Sequence, residues 1–255
     1  MISQINVVLV RPTYSGNIGA AVRALANMGG ERIILIDPKC SIDENTRAAA
    51  SGAQAWLKRI TIYDTWEQFY SHEPEGFRIS LSRRSGKKRP SLALAETLTQ
   101  MFEQVPDSTP TQPLFLFFGP EASGLSAEDM AWTHRTAQLP IAGTFKSLNL
   151  AQAVLLGLFV TQQTLQQLKP RKTSAKKMTE NVRFPDESIR RWLEAMGFSL
   201  EKRRKSAYLT IRRLLLQNWP SPQELLVLEA ILQQNIRKLE EWRRLKNEKE
   251  RLTSS

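Results

Sequence analysis

A polar patch in front of an apolar helical segment is the first place where this chain could bind a ligand or carry chemistry. Four polar residues lie between a short apolar run and a helical pattern that begins at Leu150; they are Thr144, Lys146, Ser147 and Asn149. Polar side chains packed against a buried helix are costly unless they are hydrogen-bonded, and the first turn of a helix offers unpaired N–H groups. The patch therefore fits a ligand site. An ordinary strand–loop–helix corner with Ser147 as the helix N-cap fits it equally well.

A second candidate site surrounds Glu121, which two glycines flank in a short turn. The turn follows residues 114–118, the strongest strand pattern in the chain and apolar on both faces, as expected of a central strand. Ligands of open α/β sheets bind beyond the carboxyl ends of the strands. We therefore expect the strand ends at residues 81–85, 118–124 and 139–149 to meet at one pocket.

Two cationic features could serve the same pocket. Arg23 is the only charged residue in a helical pattern of small and apolar residues, 18–28, which follows a polar loop at residues 11–17. It could point into a site shared with that loop, or it could lie at the edge of an ordinary helix. In the second feature, a loop without carboxylates contains five cations that should bind phosphate unless the loop is merely solvated: Arg83, Arg84, Lys87, Lys88 and Arg89.

The elements that must position these residues predict an α/β fold. Apolar runs at residues 5–10, 32–36 and 77–81 indicate buried strands, and helical patterns at 18–28 and 43–57 alternate with them. This order is typical of a parallel sheet. The chain lacks both the G-x-G-x-x-G and the G-x-x-x-x-G-K-[ST] spacing, which argues against a nucleotide-binding enzyme of another α/β class.

Composition narrows the function further. A hydrophobic fraction of 41% over 255 residues supports a real core. Cys40 is the only cysteine, and His72 and His134 lack ligand spacing, so we expect neither disulfides nor a metal site. The N-terminus does not resemble a secretion signal, and the apolar runs are too short to span a bilayer, so we expect a cytoplasmic protein that does not bind membranes.

Charge divides the chain into unequal parts. Residues 1–165 carry 15 Lys and Arg against 14 Asp and Glu, whereas residues 166–255 carry 21 against 11. We predict an α/β domain at 1–165, a basic, proline-interrupted linker at 166–182 and a helical basic extension at 183–255. In the extension, Asp186 is expected to cap a first helix, and residues 221–224 form a capping box for the last. The excess of cations predicts a polyanionic partner, with a solvated helical surface as the alternative.

Three segments together resemble the motifs of the SpoU/TrmH-type RNA ribose 2′-O-methyltransferases of the SPOUT superfamily. They are residues 17–24 (NIGAAVRA), 118–125 (FGPEASGL) and 141–151 (IAGTFKSLNLA), and they follow in the family's order and spacing. The helical extension is similar in layout to that of the TrmJ branch. The resemblance implies a SPOUT-type parallel sheet with a deep trefoil knot toward the C-terminal end of the domain, followed by a small all-helical domain.

The resemblance also implies a cofactor, partners and residue roles. The family uses S-adenosylmethionine and no metal, and works as a homodimer with a composite active site. The cofactor would contact Leu81, Ser82, Gly119, Ile141 and Leu148. Arg23 would be the catalytic arginine, presented with Asn17, and the site would be shaped by Glu121, Ser147 and Asn149. The RNA would contact the five cations of the basic loop, which include Arg84, together with Lys146.

The function implied is 2′-O-methylation of tRNA, at the C or U that begins the anticodon loop in substrates of the TrmJ branch. Two positions depart from the family's pattern. Pro120 stands where the family commonly has Asn or Arg, and it removes a backbone donor and so changes the contacts of the loop. Phe145 and Lys146 stand where the branch tends to have a tyrosine, and this departure bears on the base preference. Methylation of ribosomal RNA and a non-catalytic RNA-binding protein on the same fold remain the alternatives.

Overall fold

The computed structural model describes residues 2–83, 91–104, 111–145, 147–168, 184–198, 207–217 and 222–253. The chain forms two compact units, Met1–Thr179 and Glu180–Ser255. Residues 166 and 167 of the predicted linker belong to a helix, and its residues 169–182 lie outside the described part of the chain. Within the described residues, no helix combines the length and apolar character needed to cross a bilayer.

The first unit contains a seven-stranded sheet. Its strands are β1 (Ile2–Val10), β2 (Arg32–Ile36), β3 (Thr61–Tyr63), β4 (Phe77–Leu81), β5 (Leu92–Ala93), β6 (Gln112–Phe118) and β7 (Arg135–Gln138). Its helices are α1 (Ser15–Asn27), α2 (Glu44–Ala49), α3 (Trp66–His72), α4 (Leu94–Gln104), α5 (Ala127–Ala131) and α6 (Leu150–Gln167), with a 3₁₀ helix at Gln54–Arg59.

The sheet is parallel and its strands do not follow chain order. The spatial order is β3-β2-β1-β6-β4-β7-β5, and every neighbouring pair is parallel. β6 lies between β1 and β4, and residues 113–118 are buried throughout, as its apolar sequence predicts. The predicted α/β class with a parallel sheet is confirmed, and the trefoil knot stays a prediction.

Two local expectations are corrected. Residues 43–57 do not form one helix, because α2 ends at Ala49 and the chain turns before the 3₁₀ helix begins at Gln54. Ser51 and Gly52 interrupt the alanines there, and both are weaker helix formers than alanine. The two-residue strand β5 was not predicted, and β7 is the strand whose end was expected at residues 139–149.

The small residues of α1 allow it to lie very close to α2. A Cβ atom added at Gly19 would lie 2.1 Å from the carbonyl oxygen of Thr46. Any side chain at this position would therefore push the two helices apart. The glycine of the first motif thus has a packing role, which fixes how α1 presents its polar face.

The second unit consists of α7 (Asp186–Ala195), α8 (Ala207–Gln217) and α9 (Pro222–Thr253). The sequence suggested that Asp186 is the N-cap of α7, but Asp186 is the first residue of the helix. Its carboxylate accepts hydrogen bonds from Tyr208 (2.6 Å) and from Nε of Arg212 (2.7 Å) on α8, which ties the two helices together. α9 begins at Pro222 as predicted, and Ser221 lies outside the described residues.

Candidate active site

A cavity of about 460 Å³ opens at the carboxyl ends of β4, β6 and β7. The three strand ends predicted to meet do meet here. The residues of these ends that line the wall are 81–83, 118–124, Gln138, Leu139, Ile141, Ser147 and Leu148. Leu150 and Ala153 on the first turn of α6 complete it. The cavity is therefore bounded by backbone turns, a few apolar side chains and the start of a helix.

Glu121 on the wall of this cavity is held by the segment that follows β1. Its Oε2 accepts hydrogen bonds from the backbone N (3.0 Å) and Oγ1 (2.7 Å) of Thr13. Its Oε1 accepts from the backbone N of Tyr14 (3.3 Å) and from Nδ2 of Asn17 (2.8 Å). One carboxylate thus fixes the whole entry into α1.

Asn17 extends this network to the third motif. Its Oδ1 accepts a hydrogen bond from Nδ2 of Asn149 at 2.9 Å. The Oδ1 of Asn149 in turn accepts from the backbone N of Ala151 at 2.9 Å, so Asn149, and not Ser147, is the N-cap of α6. Glu121, Asn17 and Asn149, one from each motif, therefore form a continuous chain of hydrogen bonds.

The network keeps Glu121 ionised. Burial alone would raise the pKa of its carboxyl, but the hydrogen bonds donated by Asn17 and Thr13 outweigh burial, so the pKa lies below its ordinary value. A carboxylate with four donors around it stays an acceptor at neutral pH. Glu121 is thus suited to orienting the loop and α1, and poorly suited to donating a proton.

The turn that carries Glu121 requires glycine at its start. A Cβ atom at Gly119 would lie 2.2 Å from the backbone N of Leu125 and 2.3 Å from the carbonyl carbon of Gly124. The turn is closed by a hydrogen bond from the backbone N of Gly124 to the carbonyl oxygen of Pro120 (2.8 Å). This close approach aims the backbone of residues 119–124 at the cavity.

An ion pair beside this turn escaped the sequence analysis. Nη2 of Arg11 lies 2.5 Å from Oδ2 of Asp129, and only 3% of Asp129 is exposed. Burial alone would raise the pKa of Asp129, but its hydrogen bond with Arg11 outweighs burial and the pKa is lowered. The available signals were an arginine directly after a buried strand and an aspartate in the first turn of a capped helix. Neither pattern indicates that these two residues form an ion pair.

The predicted site residues fall into three groups. Eight line the cavity: Leu81, Ser82, Arg83, Gly119, Glu121, Ile141, Ser147 and Leu148. Asn17 is hydrogen-bonded to Glu121 on the wall, and Asn149 is hydrogen-bonded to Asn17. Arg23 is exposed on α1 and is not among the described residues of the cavity wall. The remaining five lie outside the described part of the chain, and their RNA contacts stay predictions: Arg84, Lys87, Lys88, Arg89 and Lys146.

Comparison with known proteins finds a family, curated relatives and a solved structure that this chain resembles. Residues 4–159 match the SpoU rRNA methylase family. The chain is 30% identical over 172 residues to the uncharacterized tRNA/rRNA methyltransferase LasT of Escherichia coli K12, covering 68% of this chain and 73% of that protein. It is 26% identical over 239 residues to the tRNA (cytidine/uridine-2′-O-)-methyltransferase TrmJ of the same strain, covering 91% and 95%. The crystal structure of TrmJ from Z. mobilis ZM4 has the same fold, with a TM-score of 0.70, 24% identity and coverage of 90% and 97%.

Proposed function

The chain belongs to the SpoU rRNA methylase family and is an RNA 2′-O-ribose methyltransferase, and we propose that it methylates tRNA with S-adenosylmethionine as the methyl donor. The observation that carries this proposal is the cavity lined by the second and third motif segments, to which the first motif is joined by the hydrogen bond from Asn17 to Glu121. The choice of tRNA is supported by the likeness to TrmJ, which extends over 91% of the chain and so includes much of the helical unit.

The cavity suits this cofactor in size and chemistry. Its volume of about 460 Å³ lies in the range of small-molecule sites, roughly 300–1,000 Å³. Leu81, Ile141 and Leu148 supply apolar surface, and the glycine turn at 119–124 supplies backbone polar groups. When bound, S-adenosylmethionine provides a methyl group on a sulfonium, which is transferred by in-line displacement. The chain's own task is to hold the cofactor and the ribose in line, which can lower a barrier by roughly 7–11 kcal/mol.

Arg23 would bind the RNA phosphate next to the target ribose and stabilise the negative charge that develops on the 2′-oxygen. A guanidinium has no acceptor and is not deprotonated in proteins, so it cannot be the general base. The proton would pass to phosphate or water. Arg23 would therefore contact the 2′-oxygen most strongly in the transition state.

Arg23 would act in the cavity of a second copy of the chain. α1 and α6 run side by side in the same direction, as two hydrogen bonds show. Asn149 donates to Asn17 near the starts of the helices, and Nε2 of Gln162 donates to the carbonyl oxygen of Met28 near their ends (2.9 Å). Along this length α6 exposes Leu155 (39%) and Phe159 (49%). An exposed apolar face on a helix that packs against α1, together with an arginine of α1 that does not line the described wall of its own cavity, supports a homodimer in which each site is completed by the partner.

The second unit would hold the body of the tRNA. α9 exposes several cations, among them Arg237, Lys238 and Arg244. Binding of folded RNA rests largely on shape and phosphate contacts. The proposed target is the C or U that begins the anticodon loop, where Phe145, 80% exposed in the loop 141–149, could stack on a base.

The test is site mapping of 2′-O-methylation after incubation of the purified protein with S-adenosylmethionine and unmodified total RNA. We expect methylation of several tRNAs, in each at the first nucleotide of the anticodon loop and at no other position. A variant with the cofactor cavity filled, Leu148→Trp, serves as the control and should give no signal. Methylation confined to ribosomal RNA would contradict the choice of tRNA, and methylation elsewhere in tRNA would contradict the choice of nucleotide.

A further inference from the structure

We propose that Arg11 is a positioning residue whose ion pair with Asp129 fixes the loop between β1 and α1, and thereby the placement of Asn17 and Glu121. Arg11 is not among the described residues of the cavity wall, so it would act through the loop and not on substrate. The structural part of the proposal stands on the geometry of this pair. Only its kinetic consequence rests on the proposed tRNA methylation.

Asp129 is a fixed anchor. Besides Arg11, its carboxylate accepts hydrogen bonds from the backbone N of Ser126 (2.8 Å) and from Nε1 of Trp66 (3.1 Å). Trp66 is itself stacked on Phe117 of the central strand and on Trp132, at centroid distances of 5.2 and 5.8 Å. The carboxylate is therefore held relative to the sheet by buried aromatic packing.

Arg11 is the point at which the loop leaves β1. Its φ is +49°, in the left-handed region that residues other than glycine seldom adopt. Its backbone N donates to the carbonyl oxygen of Ile36 at 2.8 Å. An unfavourable backbone conformation persists only when surrounding contacts enforce it, and the ion pair with Asp129 is such a contact.

The loop is consequently tied at two points to one segment. Arg11 bonds Asp129 on α5, and two residues later the backbone and hydroxyl of Thr13 bond Glu121 on the turn before α5. With Arg11 released, Glu121 would have to hold the loop alone, against a backbone that favours another conformation. A misplacement of about 1 Å can cost up to about 100-fold in rate when alignment carries the catalysis.

A second ion pair in the first unit provides a matched control. Arg32 pairs with Glu73, with side-chain exposures of 25% and 1%, against 29% and 4% for Arg11 and Asp129. Glu73 also accepts a hydrogen bond from a ring residue, Tyr63, as Asp129 does from Trp66. None of the residues of this second pair lines the described cavity wall. Loss of either arginine should thus cost similar stability, and only loss of Arg11 should disturb the loop.

The first test compares Arg11→Gln with Arg32→Gln by hydrogen exchange of the backbone amides of Thr13 and Tyr14, measured by NMR in the full-length protein. We expect both variants to lower the thermal midpoint, but only Arg11→Gln to speed exchange at these two amides, and Arg11→Lys to restore part of the protection. Unchanged protection in Arg11→Gln, or an equal loss in Arg32→Gln, would overturn the proposal. This outcome does not depend on the RNA substrate.

The second test measures steady-state methylation of tRNA by the same variants. We expect Arg11→Gln to lower kcat by about 10- to 100-fold with little change in the KM for tRNA, and Arg32→Gln to leave both near the wild-type values. If the wild-type protein failed to methylate tRNA, the proposed substrate would fail while the exchange result stood. A wild-type kcat in Arg11→Gln would refute the positioning role.

Discussion

Each unit of the protein contains a polar network built around one carboxylate, and the two networks differ in what they face. In the first unit Glu121 binds Thr13 and Asn17 and still lines a cavity. In the second unit Asp186 binds Tyr208 and Arg212, and Arg212 has no exposed surface and lies over the ring of Phe184 at 5.1 Å. A network whose arginine is fully buried against an aromatic ring stabilises the fold, whereas one that borders a cavity can orient a reaction.

Charge separates the same two regions. Residues 1–165 are close to neutral, while residues 166–255 carry ten more cations than anions, 21 against 11. The near-neutral region holds the cavity and the hydrogen-bonded motif residues. The basic region produces a positive electrostatic potential that attracts a polyanion. We therefore expect changes in the first unit to affect turnover and changes in the second unit to affect RNA affinity.

The largest expected effect is that of Arg23→Ala, which should lower turnover by about 100- to 1,000-fold because it removes one charge-stabilising donor. Binding of S-adenosylmethionine, measured by calorimetry, should stay close to wild type, since Arg23 does not line the described wall of its own cavity. Mixing Arg23→Ala with the inactive Leu148→Trp variant should restore part of the activity, because a mixed dimer contains one complete site.

As the control, each homodimer is cross-linked before the two variants are mixed. This mixture should remain inactive, because cross-linked subunits cannot exchange. Near-normal turnover of Arg23→Ala would show that the arginine is not catalytic. Absence of complementation, with subunit exchange verified, would show that Arg23 acts within its own chain.

A smaller effect, on affinity, is expected from neutralising three exposed cations of α9. Changing Arg237, Lys238 and Arg244 to Gln should weaken tRNA binding roughly tenfold and reduce the salt dependence of the binding constant by about 0.7–0.9 per lost phosphate contact. Turnover at saturating tRNA should change little. Filter binding over a range of salt concentrations gives both quantities.

Three exposed cations of the first unit provide the matched change in charge: Arg47, Lys58 and Arg59. Their replacement by Gln should alter tRNA binding much less. Equal losses from the two triple variants would mean that net charge, and not the α9 surface, attracts the RNA.

The smallest effect is a pH dependence of stability that arises from Glu121. Its pKa is lowered in the folded protein, so its contribution is present above the unfolded pKa of about 4.3 and is lost as the pH falls through the folded value. The free energy of unfolding of the wild type should exceed that of Glu121→Gln at pH 6, by less than about 1 kcal/mol because the carboxylate is partly exposed. Denaturant titrations should find this difference shrinking toward pH 3, and a constant difference would contradict the assignment.

Much of the site could be predicted because its residues belong to local patterns. Gly119 and Glu121 follow the most apolar strand, and Ile141 and Leu148 lie in the segment before an apolar helix, so their places at the carboxyl edge of a parallel sheet were expected. The helix break after Ala49 and the identity of the α6 N-cap were not expected. Both depend on small differences in free energy, between alternative hydrogen bonds or between helix and turn. A pattern of residue types does not predict such differences.

The sequence by itself determined the apolar strands, the glycine turn and the division of charge, because each depends on the composition of a short segment, and the resemblance of three segments to family motifs supplied the candidate site residues. Only the tertiary structure decided that β1 lies next to β6, with Leu9 paired to Phe118. That pairing brings the end of one strand to the end of another more than a hundred residues away. The bonds of Glu121 to Thr13 and of Arg11 to Asp129 follow from it. Such contacts depend on how the whole sheet is ordered, which is a property of the packed core and not of any segment.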